Sequence, residues 1–506
     1  IVKDEEAVLD GCLASVAWAD EIVVYDTGST DATREIARRH TDVVVEGYWD
    51  DDFGGARNRA MAHATGEWVL SIDADEVFEG DPDRMRELLG RGDVSAHTVT
   101  QRNSLGDVRL PLQLERLSQD SAITRVFRRE VTRWEGVLHE QPVDVRGGSL
   151  SAVSALPNVV LAHTGYLTEV SEGKHKTERN LALAVAQVEQ GIAEGIDPEA
   201  LEPRRVHLAR ALISDERHAE ALEVADALLR DGFVRSTYAV ILAKAVVVAA
   251  LVTEDVRAQH RWLDVWEQHD TNPAFSLAMR ARFAAVRGDA RETLAALERI
   301  PTTVVNGLGL RMDRTELVVV EVWAHSATGD VRRAAQVARD AARQGVAAGA
   351  PAGLVALLGH DHALPVIGAL PERLWREYVT WCAMDVTAES RTFLRWMHEV
   401  RPGDAAVLGA AALLAPAMSL DEAAGWAADV RRAGDARACP LVSISADPLL
   451  DPRQRALAGA LAYSAYGDER GLAGLSDALC LVDPADEVEL AAELEIVAPG
   501  LVGAPA

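Results

Sequence analysis

Cysteine is scarce. The 506 residues hold four, Cys12, Cys382, Cys439 and Cys480, far apart and without a CxxC pair. That excludes a small disulfide-framed scaffold and a thiolate zinc ribbon, and predicts reduced, mostly buried thiols in a reducing compartment. Positive charge is in deficit: 51 Lys and Arg against 79 Asp and Glu give a formal net charge of −28. So acidic a surface repels nucleic-acid phosphates and anionic headgroups, so no nucleic-acid partner is expected; a local basic patch can still bind a diphosphate. Long apolar runs are missing too. The longest, about 237–252, is interrupted by Lys244 and falls short of the ~20 residues a membrane-spanning helix needs. A buried helix is expected there, and no transmembrane segment. The opening Ile1-Val2-Lys3-Asp4-Glu5-Glu6 lacks the basic and apolar regions of a signal peptide, and without a Met it reads as cut. These absences predict a soluble, cytoplasmic protein, with peripheral contact at the inner membrane surface left open. No GxGxxG follows a strand, and GxxxxGK[ST], GxSxG and HExxH do not occur. Dinucleotide, P-loop, hydrolase-elbow and zincin readings therefore lack their motifs.

What is there is organised in two styles. Over the first ninety residues, short apolar runs alternate with helical periodicity. The runs Glu21-Ile22-Val23-Val24-Tyr25-Asp26, Asp42-Val43-Val44-Val45 and Glu67-Trp68-Val69-Leu70-Ser71-Ile72-Asp73 read as buried strands. Residues 4–16, the stretch after Asp31, 55–64 and 82–89 read as helices, the last with Asp81 as cap, Pro82 at its first position and Gly90 as stop. Alternation of this kind predicts an α/β domain, Rossmann-like, with a mostly parallel sheet. Shorter β-like pieces at 96–100, 124–127 and 159–162 are expected to extend the sheet toward an acceptor. From about Glu169 the pattern is helical. Gly288-Asp289, Gly329-Asp330, Asp215-Glu216 and a weaker Gly467-Asp468 each precede a helix with a face of small residues. They resemble turns of degenerate tetratricopeptide-type repeats; a plain helical domain is the alternative. The expected domains are 1–168, 169–350 and 351–506, the last either separate from the second or continuous with it.

The densest chemistry is Asp73-Ala74-Asp75, at the end of an apolar strand. Ligands of open α/β sheets bind at the carboxyl ends of strands. Two carboxylates one residue apart there can hold a hard divalent cation and leave positions for diphosphate oxygens. Asp50-Asp51-Asp52 is instead read as a solvated loop. The ordered stretches IVKDEEAVLDGCLASV, ADEIVVYDTGSTDATREIA, FGGARNRAMAHATGEWVLSIDADE, ITRVFRR and EGVLHEQP resemble family 2 glycosyltransferases. The nearest branch has IVKNEE, DTGSTD and DADE signatures and includes bacterial lipopolysaccharide-core and peptide S-glycosyltransferases. The resemblance covers about residues 1–166. It implies a GT-A nucleotide-sugar fold, with Mn²⁺ or Mg²⁺ as cofactor and a nucleotide-diphosphate sugar as donor, a UDP-sugar favoured. It places Lys3, Asp4 and Glu5 against the nucleoside, with Asp4 standing where Asn is commoner. Asp26 and Thr27 fall near base and ribose, Arg57 and Asn58 along the nucleotide pocket, Asp73 at the ribose or metal, and Asp75 on the metal. The family's first strand is expected to begin before Ile1.

An inverting transfer needs a base for the acceptor proton. Glu140 and His139 are the candidates, with Glu140 preferred. His163, after a strand-like run, is a candidate metal or diphosphate ligand. Arg125 and Arg128 are candidate phosphate clamps. For Asp26, a turn carboxylate is the competing role; for Arg57, Arg125 and Arg128, surface charge; for His139 and His163, a hydrogen-bonded structural histidine. Trp262, Trp266 and Trp381 are expected in the helical core. The leading reading is a metal-dependent, inverting glycosyltransferase whose helices hold a protein, peptide or glycolipid acceptor or make a homodimer. The alternatives are a helical scaffold with an inactive transferase domain, and a nucleotidyltransferase, which lacks here its glycine-rich opening loop.

Overall fold

The computed structural model describes residues 1–90, 94–103, 120–138, 140–163, 170–232, 234, 236–270, 272–301, 303–305 and 311–501. Two compact units share the chain: 1–288 with 295–316, and 289–294 with 317–506.

In the first unit, helix α1 (Leu9–Ser15) leads into strand β1 (Val23–Asp26), helix α2 (Thr33–His40), strand β2 (Val43–Glu46) and helix α3 (Phe53–Met61). β1 and β2 pair in parallel, and Val2 bridges Asp26 in parallel on the other edge. The β-branched run 43–45 suits such a strand, and α2 closes the crossover. Val2, Leu9, Leu13, Val24, Ile36 and Ala37 form its apolar layer. The motif reading placed α3 at 55–64, but it starts two residues earlier because the Asp52 carboxylate accepts from Gly55 N at 2.8 Å. One member of the acidic triplet is thus a helix cap, not a solvated loop residue.

Strands β3 (Trp68–Leu70), β4 (Glu76–Glu79), helix α4 (Pro82–Leu89), β5 (Ala96–Asn103), β6 (Asp120–Arg128), β7 (Thr132–Glu135), β8 (Gln141–Asp144) and β9 (Val153–His163) complete the α/β part. α4 begins as expected: Asp81 accepts from the N–H groups of Asp83 and Arg84, with Pro82 in the first turn. The five-stranded sheet runs β3-β6-β5-β9-β4. β5 and β9 are parallel, while β3/β6, β5/β6 and β4/β9 are antiparallel. The α/β reading holds, with the sheet mixed where the alternation up to residue 90 pointed to parallel strands. Among the described residues no α-helix separates β5, β6, β7, β8 and β9, and antiparallel return is the available short connection. A cavity of about 280 Å³ lies between β1 and β3, lined by Val23, Val24, Val69 and Leu70.

Helices α5 (Val170–Ala193), α6 (Glu202–Ser214), α7 (His218–Arg230) and α8 (Ser236–Val252) follow. α8 is the apolar run of the sequence and is buried through Leu242, Ala243, Val246 and Val247. No described helix is long and apolar enough to cross a membrane. The second unit is helical, consistent with a tetratricopeptide-like domain. Gly329 and Gly467 have left-handed φ of 86° and 64°, and Asp330 and Asp468 cap the helices that follow them. The recurring Gly-Asp pair is therefore a stop and a start. Trp375, Tyr378, Phe393 and Trp426 fill this core. Trp262 and Trp266 are buried in the first unit. Trp381 is not a core residue: it is 37% exposed, with its ring against Tyr378 at 5.2 Å. Cys12, Cys382 and Cys439 are buried free thiols and Cys480 an exposed one.

Helices 452–466 and 469–479 meet through glycine. A Cβ on Gly459 would lie 2.5 Å from the Gly471 carbonyl, and one on Gly471 would lie 2.5 Å from the Gly459 carbonyl. Backbone cannot yield as a side-chain tip does, so Gly459→Ala should cost about 1–3 kcal/mol. Gly409→Ala, where a Cβ meets open space, should not destabilise. Urea unfolding of both variants checks this; equal midpoints would refute the close approach.

Candidate active site

The site is built at the strand ends from Asp26 and from the segment between β3 and β4. One wall is a pair of loops. Asp4 N donates to Ser29 Oγ at 2.9 Å, Glu5 N to Thr33 Oγ1 at 2.7 Å and Glu6 N to Asp31 Oδ2 at 3.1 Å. In return, Thr30 N donates to Asp4 Oδ1 and Ala32 N to Glu6 Oε2. Asp4 has φ 55°, a left-handed conformation that Asp and Asn tolerate. Its carboxylate thus ties the loop that follows β1. Lys3 is exposed and Glu5 half-buried beside it. Asp26 is 2% exposed. Its Oδ1 accepts from Gly28 N and Ser29 N at 3.0 and 2.9 Å, so it is a turn carboxylate, while its buried Oδ2 has no hydrogen-bond partner. A buried acceptor left open at a strand end is a ready recognition point for a ligand N–H or O–H. Thr27 is occupied with Val2, donating through N and Oγ1 to its carbonyl.

The centre is Arg57, presented by α3. Its Nε donates to Glu140 Oε1 at 2.5 Å, one terminal nitrogen to Ser71 Oγ at 3.0 Å and the other to Asp73 Oδ1 at 2.6 Å. Its guanidinium lies 4.9 Å from the centre of the Trp134 ring. Arg125 donates to the other Asp73 oxygen at 2.6 Å. Burial works against the charge of Arg57, but the Asp73 and Glu140 carboxylates more than offset it and raise its pKa. Burial likewise would raise Asp73, yet Arg57 and Arg125 hold it well below the usual carboxylate range. Glu76 is fully buried behind them, accepting from Asp73 N at 2.9 Å and Gln101 Nε2 at 2.5 Å. Its pKa is raised, by burial first and then by the Asp73 charge. Beneath, Cys12 Sγ donates to the Asp73 carbonyl at 3.3 Å; burial pushes that thiol up to about 12.

Asp75 and His163 form the neighbouring pair, Oδ2 to Nε2 at 3.1 Å. The Asp75 hydrogen bond raises the His163 pKa above its ordinary value against the effect of burial. Register explains the approach, since His163 ends β9 directly opposite Glu76 of β4. Among the described residues no group of three His, Cys, Asp or Glu side chains is arranged to hold a metal ion.

Other candidates go elsewhere. Asn58 exchanges two 2.8 Å hydrogen bonds with the backbone of Trp134, clasping β7 to α3. Arg128 donates to the Val94 carbonyl at 3.0 Å, pairs with Glu67 and lies over the Trp68 ring. Arg125 goes to Asp73 and Arg128 to Glu67, so the two do not act as one clamp. His139 lies outside the described residues. Sequence reasoning passed over Ser71, Glu76, Gln101 and Trp134. Glu76 stands inside the DADE signature and could have been found there; Gln101 and Trp134 carry no local signal.

Residues 1–135 match the family model for glycosyl transferase family 2. The chain therefore carries a family 2 glycosyltransferase domain, followed by helices. It is 34% identical over 192 residues to a TPR repeat-containing protein of Synechococcus elongatus, covering 35% of this chain and 44% of that protein. It is 30% identical over 188 residues to the SPbeta prophage-derived glycosyltransferase SunS of Bacillus subtilis, covering 36% of this chain and 42% of that one. A third relative is the lipopolysaccharide core biosynthesis glycosyltransferase LpsC of Rhizobium meliloti, 32% identical over 94 residues, covering 18% and 33% respectively. The chain spans less than half the length of these relatives.

Removing Arg57 leaves Glu140 without its cation in a closed site. Arg57→Met should cost about 3–5 kcal/mol, whereas Arg34→Ala, breaking an exposed pair with Glu46, should cost about 1 kcal/mol or less. Because the Asp73 pKa is depressed, its stabilisation is full above the unfolded value of about 4 and is lost as pH falls toward the folded one. The acid-unfolding midpoint of Arg57→Met should therefore lie at higher pH. Equal losses for the two variants in urea would overturn the central role of Arg57.

Proposed function

We propose that this protein transfers a sugar from a nucleotide-diphosphate donor, a UDP-sugar favoured, to a protein, peptide or glycolipid acceptor, with inversion and with help from Mn²⁺ or Mg²⁺. The observation that carries the reading is the Arg57 bridge between Asp73 and Glu140 at the strand ends, inside a family 2 domain. Glycosyltransferases among the relatives support it.

In this reading the open oxygen of Asp26 takes a donor N–H or O–H from the nucleoside. Arg57 and Arg125, anchored on Asp73, set a positive wall for the diphosphate. Glu140 accepts the acceptor proton as the acceptor oxygen, nitrogen or sulfur attacks the anomeric carbon and the bond to the diphosphate breaks. Arg57 keeps Glu140 oriented. Asp75 and His163 fit a hard cation as a carboxylate–imidazole pair, with diphosphate oxygens completing the set. When bound, the cation neutralises charge building on the leaving diphosphate. The cytoplasmic location, the domain divisions near 168 and 350, and acceptor binding by the helices, whose stacked hairpins suit an extended ligand, belong to this proposal.

Calorimetric titration with UDP, GDP, CDP and dTDP, with and without Mn²⁺, tests it. Metal-dependent binding of one nucleotide is expected, and its loss in Asp75→Ala. No binding to any nucleotide by folded protein would overturn the reading. A second outcome concerns pH. His163 binds a cation only when neutral, and Asp75 raises its pKa. Mn²⁺ affinity should therefore rise as pH climbs through that raised value, and His163→Gln should flatten the dependence. An unchanged slope in that variant would remove His163 from the cation site.

A further inference from the structure

Between β7 and β8 the described residues are 136–138 and Glu140. Gly136 has φ 113°, and a Cβ there would stand 3.2 Å from the Glu140 Cα, so the two ends of this connection approach closely. Its first half is stitched to the start of α3. Phe53 N donates to the Val137 carbonyl at 3.0 Å, and Gly54 N to the Gly136 carbonyl at 3.1 Å. A Cβ on Gly54 would lie 2.6 Å from that same carbonyl. Its far end is held by Arg57, one turn along α3. Between these points sits Leu138, only 5% exposed. It does not join the core of the α/β part. It clusters instead with Leu181 and Ala184 of α5, Ala211 and Leu212 of α6 and Ala221 of α7, with Phe53 at the edge. Arg179 of α5 adds a second hold, its guanidinium 5.3 Å from the centre of the Phe53 ring.

We infer that helices α5–α7 are the brace of the Glu140 loop, with Leu138 as a positioning residue seated among them. The inference rests on the role of Glu140 proposed above. Its physical content is that the loop has three fixings: α3 backbone, Arg57, and a hydrophobic plug into the helical array. The first two come from the α/β part and the third from helices that follow it. Any ligand that shifts α5–α7 therefore shifts the loop carrying Glu140. Misplacement of a reacting group by about 1 Å can cost about 100-fold in rate.

The test uses the full chain and two readouts. The first is hydrolysis of a panel of nucleotide sugars beginning with UDP-glucose, with water as the acceptor. Leu138→Ala should lower kcat by about 10–100-fold while the donor KM changes by less than about 3-fold, and Leu138→Met should restore most of it. The second is hydrogen exchange, which needs no activity. Protection at the Phe53 and Gly54 amides should fall in Leu138→Ala and return in Leu138→Met. Leu263→Ala, in the α8-centred core of the same unit, should lower the melting temperature without either effect. If Leu138→Ala does not fold, Leu138→Val, a smaller truncation, and Leu212→Ala, on the receiving side of the same cluster, decide the matter. Unchanged kcat and unchanged protection in folded variants overturn the brace. A wild-type chain that hydrolyses no donor counts against the proposed function, while the exchange result still decides whether the helices hold the loop.

Discussion

Everything near the strand ends depends on one buried cation. Arg57 is presented by α3, held over Trp134, and shared between Asp73, Ser71 and Glu140. A guanidinium suits this position because its planar fork of donors can satisfy several acceptors at once in fixed directions. Without it, Asp73 and Glu140 would face each other's charge in a desolvated site. With it, three segments distant in the chain become one constellation: the start of α3, the end of β3 and the loop after β7. Arg125 and Glu76 extend the same alternation of sign inward, plus, minus, plus, minus, so no charge in the group lacks an opposite neighbour.

Much of this was legible in the sequence, for a definable reason. Strand-end carboxylates, the β1 turn and the Asp81-Pro82 helix start are local signals, decided by a few adjacent residues. Motif order then brought Asp26, Arg57, Asp73, Asp75, Glu140 and His163 to notice. What remained hidden depended on long-range pairing. Asn58 reads like a pocket amide until β7 is seen to take both ends of it. Arg125 and Arg128 read as one clamp until their separate partners, Asp73 and Glu67, are seen. Gln101 reaches Glu76 only because β5 and β4 flank the same strand, a sheet order that no local pattern encodes. Trp381 keeps helical spacing yet faces outward, since composition alone does not say which side of a helix a neighbour will cover.

The helices use a plainer vocabulary. Left-handed glycines stop them, aspartates restart them, and small residues let them approach closely. In the second unit the side chains between neighbouring helices add specificity. Arg395 lies 3.5 Å from the centre of the Trp426 ring and pairs with Asp429, and Arg401 lies 3.9 Å from that of Trp375. An array built this way can vary in length without disturbing its neighbours, since each hairpin is chiefly answerable to the next.

The cysteines have a practical meaning. Three of the four thiols are buried, and Cys12, under Asp73, keeps its proton far above neutral pH. Electrophilic dyes react with exposed thiolate, so Cys480, at the end of a helix in the second unit, is the accessible position. The unaltered chain thus carries a natural attachment point for a spectroscopic reporter, remote in sequence from every residue of the candidate site. The helical array can be watched from there while the chemistry is left untouched.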